Sequence, residues 1–122
     1  MERVFTLEEA RALVPTLSGL LTQLQAAHRE LVAVAPKEAS RIASGNGSAS
    51  TASALAAAEH RYVELIREID GIGVIVRDPR TGLVDFAATR DDEPIYLCWR
   101  LGESDIGHWH PRDTGMAGRQ PL

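Results

Sequence analysis

Scarcity bounds this chain before any motif is read. It holds one cysteine among 122 residues, so no intrachain disulfide forms and nothing points to an oxidising compartment. Aromatic residues make up 5% of it, so a core must come mostly from Leu, Val, Ile and Ala. A basic surplus is missing: 13 Lys and Arg face 17 Asp and Glu, a net charge of −4. A phosphate-backbone binder needs a basic field, so no nucleic-acid partner is expected. No apolar run approaches the ~20 residues that span a bilayer, so no membrane partner is expected. Met1-Glu2-Arg3 leads into a capped amphipathic helix rather than an apolar leader, which makes the cytoplasm the expected compartment.

What is present has the proportions of an ordinary globular domain: 44% apolar and 25% charged, at a length that suits one domain. Thr6-Leu7-Glu8-Glu9 is a capping box, with acids in the first turn to suit the helix dipole. Leu13, Leu17, Leu20, Leu24, Ala27 and Leu31 then recur at alternating spacings of four and three, the seam of a helix that packs on another helix. Pro15 interrupts that pattern at a cost of about 3 kcal/mol in a straight helix. Either a kink near Pro15 or a short first helix, with Pro15 opening the longer one, is expected. Ala35-Pro36 ends the pattern, giving a helix over 6–35. Residues 36–52 read as a flexible linker around Gly45-Asn46-Gly47-Ser48. A second helix is expected over 53–70, with Leu55, Tyr62, Leu65, Ile66 and Ile69 on its apolar face and Gly71 as its cap.

The hydrophobic period then changes from helical to alternating. Val74 to Arg77, Leu83 to Phe86, Ile95 to Leu101 and Ile106 to His110 read as strands, separated by a turn at 78–82, a polar loop at 89–94 and a turn at 102–105. The expected fold is α+β in one domain: an antiparallel two-helix hairpin, a small antiparallel β-meander over 74–110, and an irregular tail over 111–122.

Chemistry concentrates at the C-terminal end. Residues 94–122 hold both tryptophans, the cysteine, two of the four histidines, and Arg100, Arg112 and Arg119. Several stretches here have a further resemblance: Gly71-Ile72-Gly73-Val74, Gly82-Leu83-Val84-Asp85-Phe86, Tyr96-Leu97-Cys98-Trp99-Arg100-Leu101-Gly102-Glu103, Trp109-His110 and Gly118-Arg119-Gln120-Pro121-Leu122. In that order they resemble a bacterial family designated domain of unknown function 2203. The resemblance covers the chain outside the interhelical linker. It implies one coherent fold and assigns no activity. Asp85, Trp99, Arg100, Glu103, Trp109, His110, Gly115 and Arg119 match the family pattern, whereas His108 and Met116 stand where the family pattern is more often aromatic.

Three constellations follow from the residues themselves. Cys98, His108 and His110, with Glu103, Asp113 or Asp85 as a further ligand, form a donor set for zinc or another divalent metal. No CxxC or HExxH spacing accompanies them, and no cofactor is otherwise called for. Strand parity governs this set. Pairing Cys98 with His108 puts Tyr96, Cys98, Arg100, His108 and His110 on one face; pairing Leu101 with Ile106 moves both histidines to the face of Leu97 and Trp99. The first register segregates polar from apolar better, the second has the simpler turn, and the sequence leaves both open. Arg100, Arg112 and Arg119, with His110, Trp99 and Trp109, form a second candidate, a patch for a small anionic ligand. The structural alternative pairs these arginines with Asp85, Glu103, Asp105 or Asp113, with Arg119 clamping the tail to the sheet. Third, His110 beside Asp85 or Glu103 is the minimal unit for acid–base catalysis. Cys98, mid-strand, is expected to be buried and inert as a nucleophile. His28 and His60 read as helix-surface groups.

The leading expectation is a cytoplasmic, self-associating module. The helix seam leaves apolar surface that a homodimer through the helical hairpins would bury, and the Trp/Arg/His patch would take a small anionic ligand or a protein partner. The alternative is a metal-dependent or His-based enzyme using the same patch.

Overall fold

The capping box forms as read. The Thr6 amide donates to Glu9 Oε1 at 2.8 Å and the Glu9 amide donates to Thr6 Oγ1 at 3.0 Å. The first of these bonds leads in holding the Glu9 carboxyl below its ordinary range. From this start the computed structural model, which describes residues 2–43, 45 and 49–122, runs α1 from Leu7–Ala43. Neither proline breaks it. The separate short first helix and the stop at Pro36 are therefore corrected. Pro15 and Pro36 both lie on the exposed side of α1, as do Arg11 and Val32, whose carbonyls lose their helical partners. Water can satisfy those carbonyls, so the rings cost less than they would in a buried helix. The packed stripe runs past Pro36, from half-buried Val34 and Ala35 to buried Glu38.

Helix α2 spans Ala49–Ile72, longer at both ends than the expected 53–70. The linker over 36–52 thus shrinks to a short connection. Its Gly45 sits in a turn at φ +76°, and the rest of the expected Asn46-Gly47-Ser48 turn lies outside the described residues. At the far end the helix cap is Gly73 rather than Gly71: Gly73 adopts φ +97° and its amide donates to the Asp70 carbonyl at 2.9 Å. The reason is space as well as conformation, since a Cβ on Gly73 would stand 2.9 Å from the Arg3 Cβ. Arg61 ties the helices through Glu30 at 2.7 Å.

The sheet has five strands in sequential order: β1 Ile75–Asp78, β2 Leu83–Arg90, β3 Glu93–Arg100, β4 His108–Pro111 and β5 Gln120–Pro121. All neighbours are antiparallel. The polar loop expected between β2 and β3 is a two-residue turn, Asp91-Asp92, with φ of 51° and 65°. Paired positive φ values give a turn whose twist matches the strands, and aspartate tolerates that region, so the strands run on to an Arg90–Glu93 pair. The tail is not irregular. After a 3-10 turn at Gly115–Gly118 it returns as β5, and the Leu122 amide donates to Gly107.

The β3–β4 register is the first of the two considered: Cys98 stands opposite His108, Leu97 opposite Trp109 and Tyr96 opposite His110. The simpler turn loses because the connection builds its own anchors. The Arg100 amide donates to Glu103 Oε1 at 2.7 Å, the Trp99 indole donates to the Glu103 carbonyl at 3.1 Å, and fully buried Ile106 is held through its carbonyl by Arg11.

That register sorts the sheet. Val84, Phe86, Ala88, Ile95, Leu97 and Trp99 point into one hydrophobic cluster with Leu17, Leu20, Leu21 and Leu24 of α1 and Leu65 and Ile69 of α2. Phe5 closes one edge, ring to edge on Phe86 at 5.4 Å, with its amide on the Ala87 carbonyl. Leu17, Leu20, Leu24 and Ala27 of the α1 seam pack inside the chain, and Leu31 stays half-buried outside that cluster. Leu17, Leu24 and Ala27 are fully buried, and the large apolar side chains left exposed on the described parts of the helices are Val32 and Val63. No helix among the described residues is long and apolar enough to cross a membrane.

Candidate functional site

The face of the sheet opposite the helices carries the polar residues. Strand alternation places Asp85 of β2, Tyr96 and Cys98 of β3, and His108 and His110 of β4 on it. Arg77 joins them from β1. The β1–β2 register shifts between Val76 and Asp78, leaving Arg77 as the bulged residue, and bulges re-aim side chains. Its Nε donates to Asp85 Oδ2 at 2.8 Å.

Asp85, Cys98 and His110 are buried, at 2%, 1% and 2% exposure. One ligand atom from each lies within 4.8 Å of the other two. The histidine is held at both nitrogens. Nδ1 is 2.8 Å from the Pro111 carbonyl, and Nε2 is 3.0 and 3.1 Å from the two Asp85 oxygens. A carbonyl only accepts, so Nδ1 carries a proton. A neutral imidazole has no second N–H, and its Nε2 lone pair would then face a carboxylate. A second proton or a metal ion at Nε2 resolves the clash. Burial, and after it the negative charge of Asp85, pushes the Cys98 thiol up to about 11. The hydrogen bond to Asp85 pushes the Arg77 guanidinium up.

Above this trio opens a cleft of about 290 Å³, lined by Arg77, Leu83, Asp85, Cys98, His110, Arg112 and Gly115. The Tyr96 ring packs beside it in contact with two guanidinium groups, Arg77 at 5.1 Å and Arg112 at 4.6 Å, and with the His110 ring at 5.5 Å. Arg112 in turn is gripped by the Glu2 carboxylate at 2.8 and 3.1 Å.

Residues 3–122 match the family described as uncharacterized conserved protein, DUF2203. The chain belongs to the DUF2203 family. No curated protein and no solved structure matches it.

The residues singled out in this DUF2203 chain divide among three places. His110 and Asp85 come together, as does Cys98, and Arg112 lines their cleft. Glu103 does not join them. It receives Arg119 at 2.7 Å, so Arg119 clamps the tail as its structural reading held. His108 shares the face but turns toward Glu103, its Nδ1 3.9 Å from Oε2, and lies outside the metal-ligand cluster. Arg100 is exposed. Trp99 and Trp109 belong to the helix-facing side, Trp99 in the core and Trp109 beneath the Arg90 guanidinium at 4.7 Å, so neither lines the cleft. The parity that puts Cys98 opposite His108 requires this, because Leu97 and Trp109 are then opposite each other on the far side.

Sequence reasoning missed Arg77, Tyr96 and Glu2. For Arg77 a signal was present: a hairpin closed at 78–82 puts residue 77 opposite 83, on the face that also carries 85. Tyr96 was assigned to the correct face without a role. Glu2 gave none, being 110 residues from Arg112 in the chain.

Proposed function

We propose that this protein is a metal-binding module that holds a divalent ion of the zinc class through Asp85, Cys98 and His110. The observation that carries the reading is the anchoring of His110. With Nδ1–H on the Pro111 carbonyl, Nε2 is left as the ligand atom, and it points at a carboxylate and a thiol within 4.8 Å. A ligating histidine is ordinarily fixed in this manner by an acceptor on its other nitrogen. Arg77 plays the equivalent part for Asp85. Carboxylate, thiolate and imidazole are zinc donors, and three protein ligands leave a coordination position open toward the cleft. A bound cation would also remove the thiol proton that burial otherwise retains on Cys98.

The reading commits to binding and names no reaction. With Asp85, Cys98 and His110 serving as ligands, the other residues lining the cleft are Arg77, Leu83, Arg112 and Gly115, none of which is a general base at neutral pH.

The test is elemental analysis of untagged protein dialysed without chelator, repeated on Cys98→Ser and His110→Ala. Near-stoichiometric zinc, iron or manganese in the parent and its loss in both variants is the expected result. A parent free of metal that also takes up none on titration with zinc refutes the reading and leaves Arg77, Asp85 and His110 as a buried ion network.

A further inference from the structure

We propose that the cleft above the trio receives a small oxyanion, a carboxylate or a phosphate group, between Arg77 and Arg112, and that Glu2 occupies Arg112 as an internal competitor. The inference rests on the metal reading for its inner contact, since the anion would complete the open coordination position.

Charge points to an anion. Asp85 is the one carboxylate paired with Arg77 among the described residues, and in the metal reading it is shared with the ion. Arg77 and Arg112 border the same cleft, so two guanidinium groups stand at one opening. Geometry adds preorganisation. Tyr96 holds both guanidinium planes by its ring, so little ordering remains to be done on binding. Arg112 shows an unmet donor as well, because its Nε is buried without a hydrogen-bond partner. Glu2 demonstrates that a carboxylate fits this guanidinium, taking NH1 with both oxygens. Size sets the class: about 290 Å³ lies at the low end of ligand cavities, which run from about 300 to 1,000 Å³. Phosphate and short carboxylic acids are of that scale.

The experiment uses full-length protein loaded with cobalt(II), whose visible spectrum reports changes in coordination, titrated separately with acetate and inorganic phosphate. At least one anion is expected to shift the spectrum at millimolar concentration, and the one acting at lower concentration names the group recognised. Arg112→Gln is expected to weaken that binding about tenfold or more, and Glu2→Gln, an exposed change that spares the fold, to tighten it several-fold. A protein that takes up no cobalt overturns the metal reading itself. Uptake of cobalt with no response to either anion overturns this inference alone, as does a response that neither substitution alters.

Discussion

Replacing Asp85 by asparagine separates a metal ligand from a structural carboxylate. The side chain is 3% exposed and serves two partners, His110 Nε2 and Arg77 Nε. Truncation to alanine would strand both, and breaking a buried pair in that way costs about 3–5 kcal/mol. Asparagine is milder for a specific reason. Its oxygen still accepts from Arg77, and its amide can donate to the Nε2 lone pair of a neutral His110 whose other nitrogen stays on Pro111. The His110 bond becomes neutral and the Arg77 bond keeps only its cationic donor, a loss of about 1 kcal/mol each. The Arg77 side chain is 43% exposed, so water screens much of its share. The expected loss is about 1–2 kcal/mol in urea melts of chelator-treated protein. Zinc affinity, read by competition with a chromophoric chelator, is expected to fall more than about 100-fold, since losing a direct ligand exceeds the 10–100-fold typical of an outer-shell partner. Unchanged zinc affinity would refute the ligand assignment. A loss above about 4 kcal/mol in metal-free protein would show that the carboxylate is needed to hold the sheet together.

Other perturbations probe the surroundings of the site and the turns that place it. With its thiol pushed up to about 11 in the folded protein against 9.0 as the ordinary value, Cys98 contributes stability that is complete below pH 9 and lost as pH rises to about 11. The linkage amounts to at most about 3 kcal/mol in metal-free protein, and Cys98→Ser should flatten that limb of the pH–stability curve relative to the parent; parallel curves would refute it. Gly82→Ala should cost about 3 kcal/mol, because φ is +71° and the new Cβ would stand 2.6 Å from the Leu101 Cβ; a change below about 1 kcal/mol in denaturant melts contradicts the turn geometry. Asp92→Gly, at φ 65° in the β2–β3 turn, should stabilise by about 0.5–1 kcal/mol, visible as a higher Tm, and a lower Tm would count against a paired left-handed turn.

The order of elements was legible because the apolar period changes so sharply at Val74, and because Thr6 and Glu9 mark a helix start that depends on adjacent residues alone. Helix ends were not. Pro36 reads locally as a stop, yet it is tolerated because the turn it disturbs faces solvent, and a residue's facing is a tertiary fact. The same limit applied to the β3–β4 register. Amphipathicity favoured Cys98 opposite His108, but the deciding contacts run from the Trp99 indole and the Arg100 amide to Glu103 and from Arg11 to Ile106, and the last spans 95 residues. Within the site, His110 with Asp85 was legible as a complementary pair. The separation of Glu103 from it was not, because Glu103 and Asp85 are chemically equivalent partners until the register assigns Glu103 to Arg119.

The composition of the outer sheet face argues that the trio is there for more than stability. That face accepts apolar burial, since Leu83 and Ala87 flank Asp85 along β2 and are themselves buried at 8% and 1%. Continuing the pattern with apolar residues of similar volume would be neutral or favourable, because a buried ion pair seldom outperforms the hydrophobic side chains that could replace it. Instead three strands each contribute one metal-class donor to a single point, and the cation nearest them is bulged out of its strand to reach the carboxylate. The arrangement concentrates desolvated polar groups at the floor of a cleft while the opposite face of the same strands, from Val84 to Ala88 and Ile95 to Trp99, is apolar. The proposed metal ion would use all three donors at once.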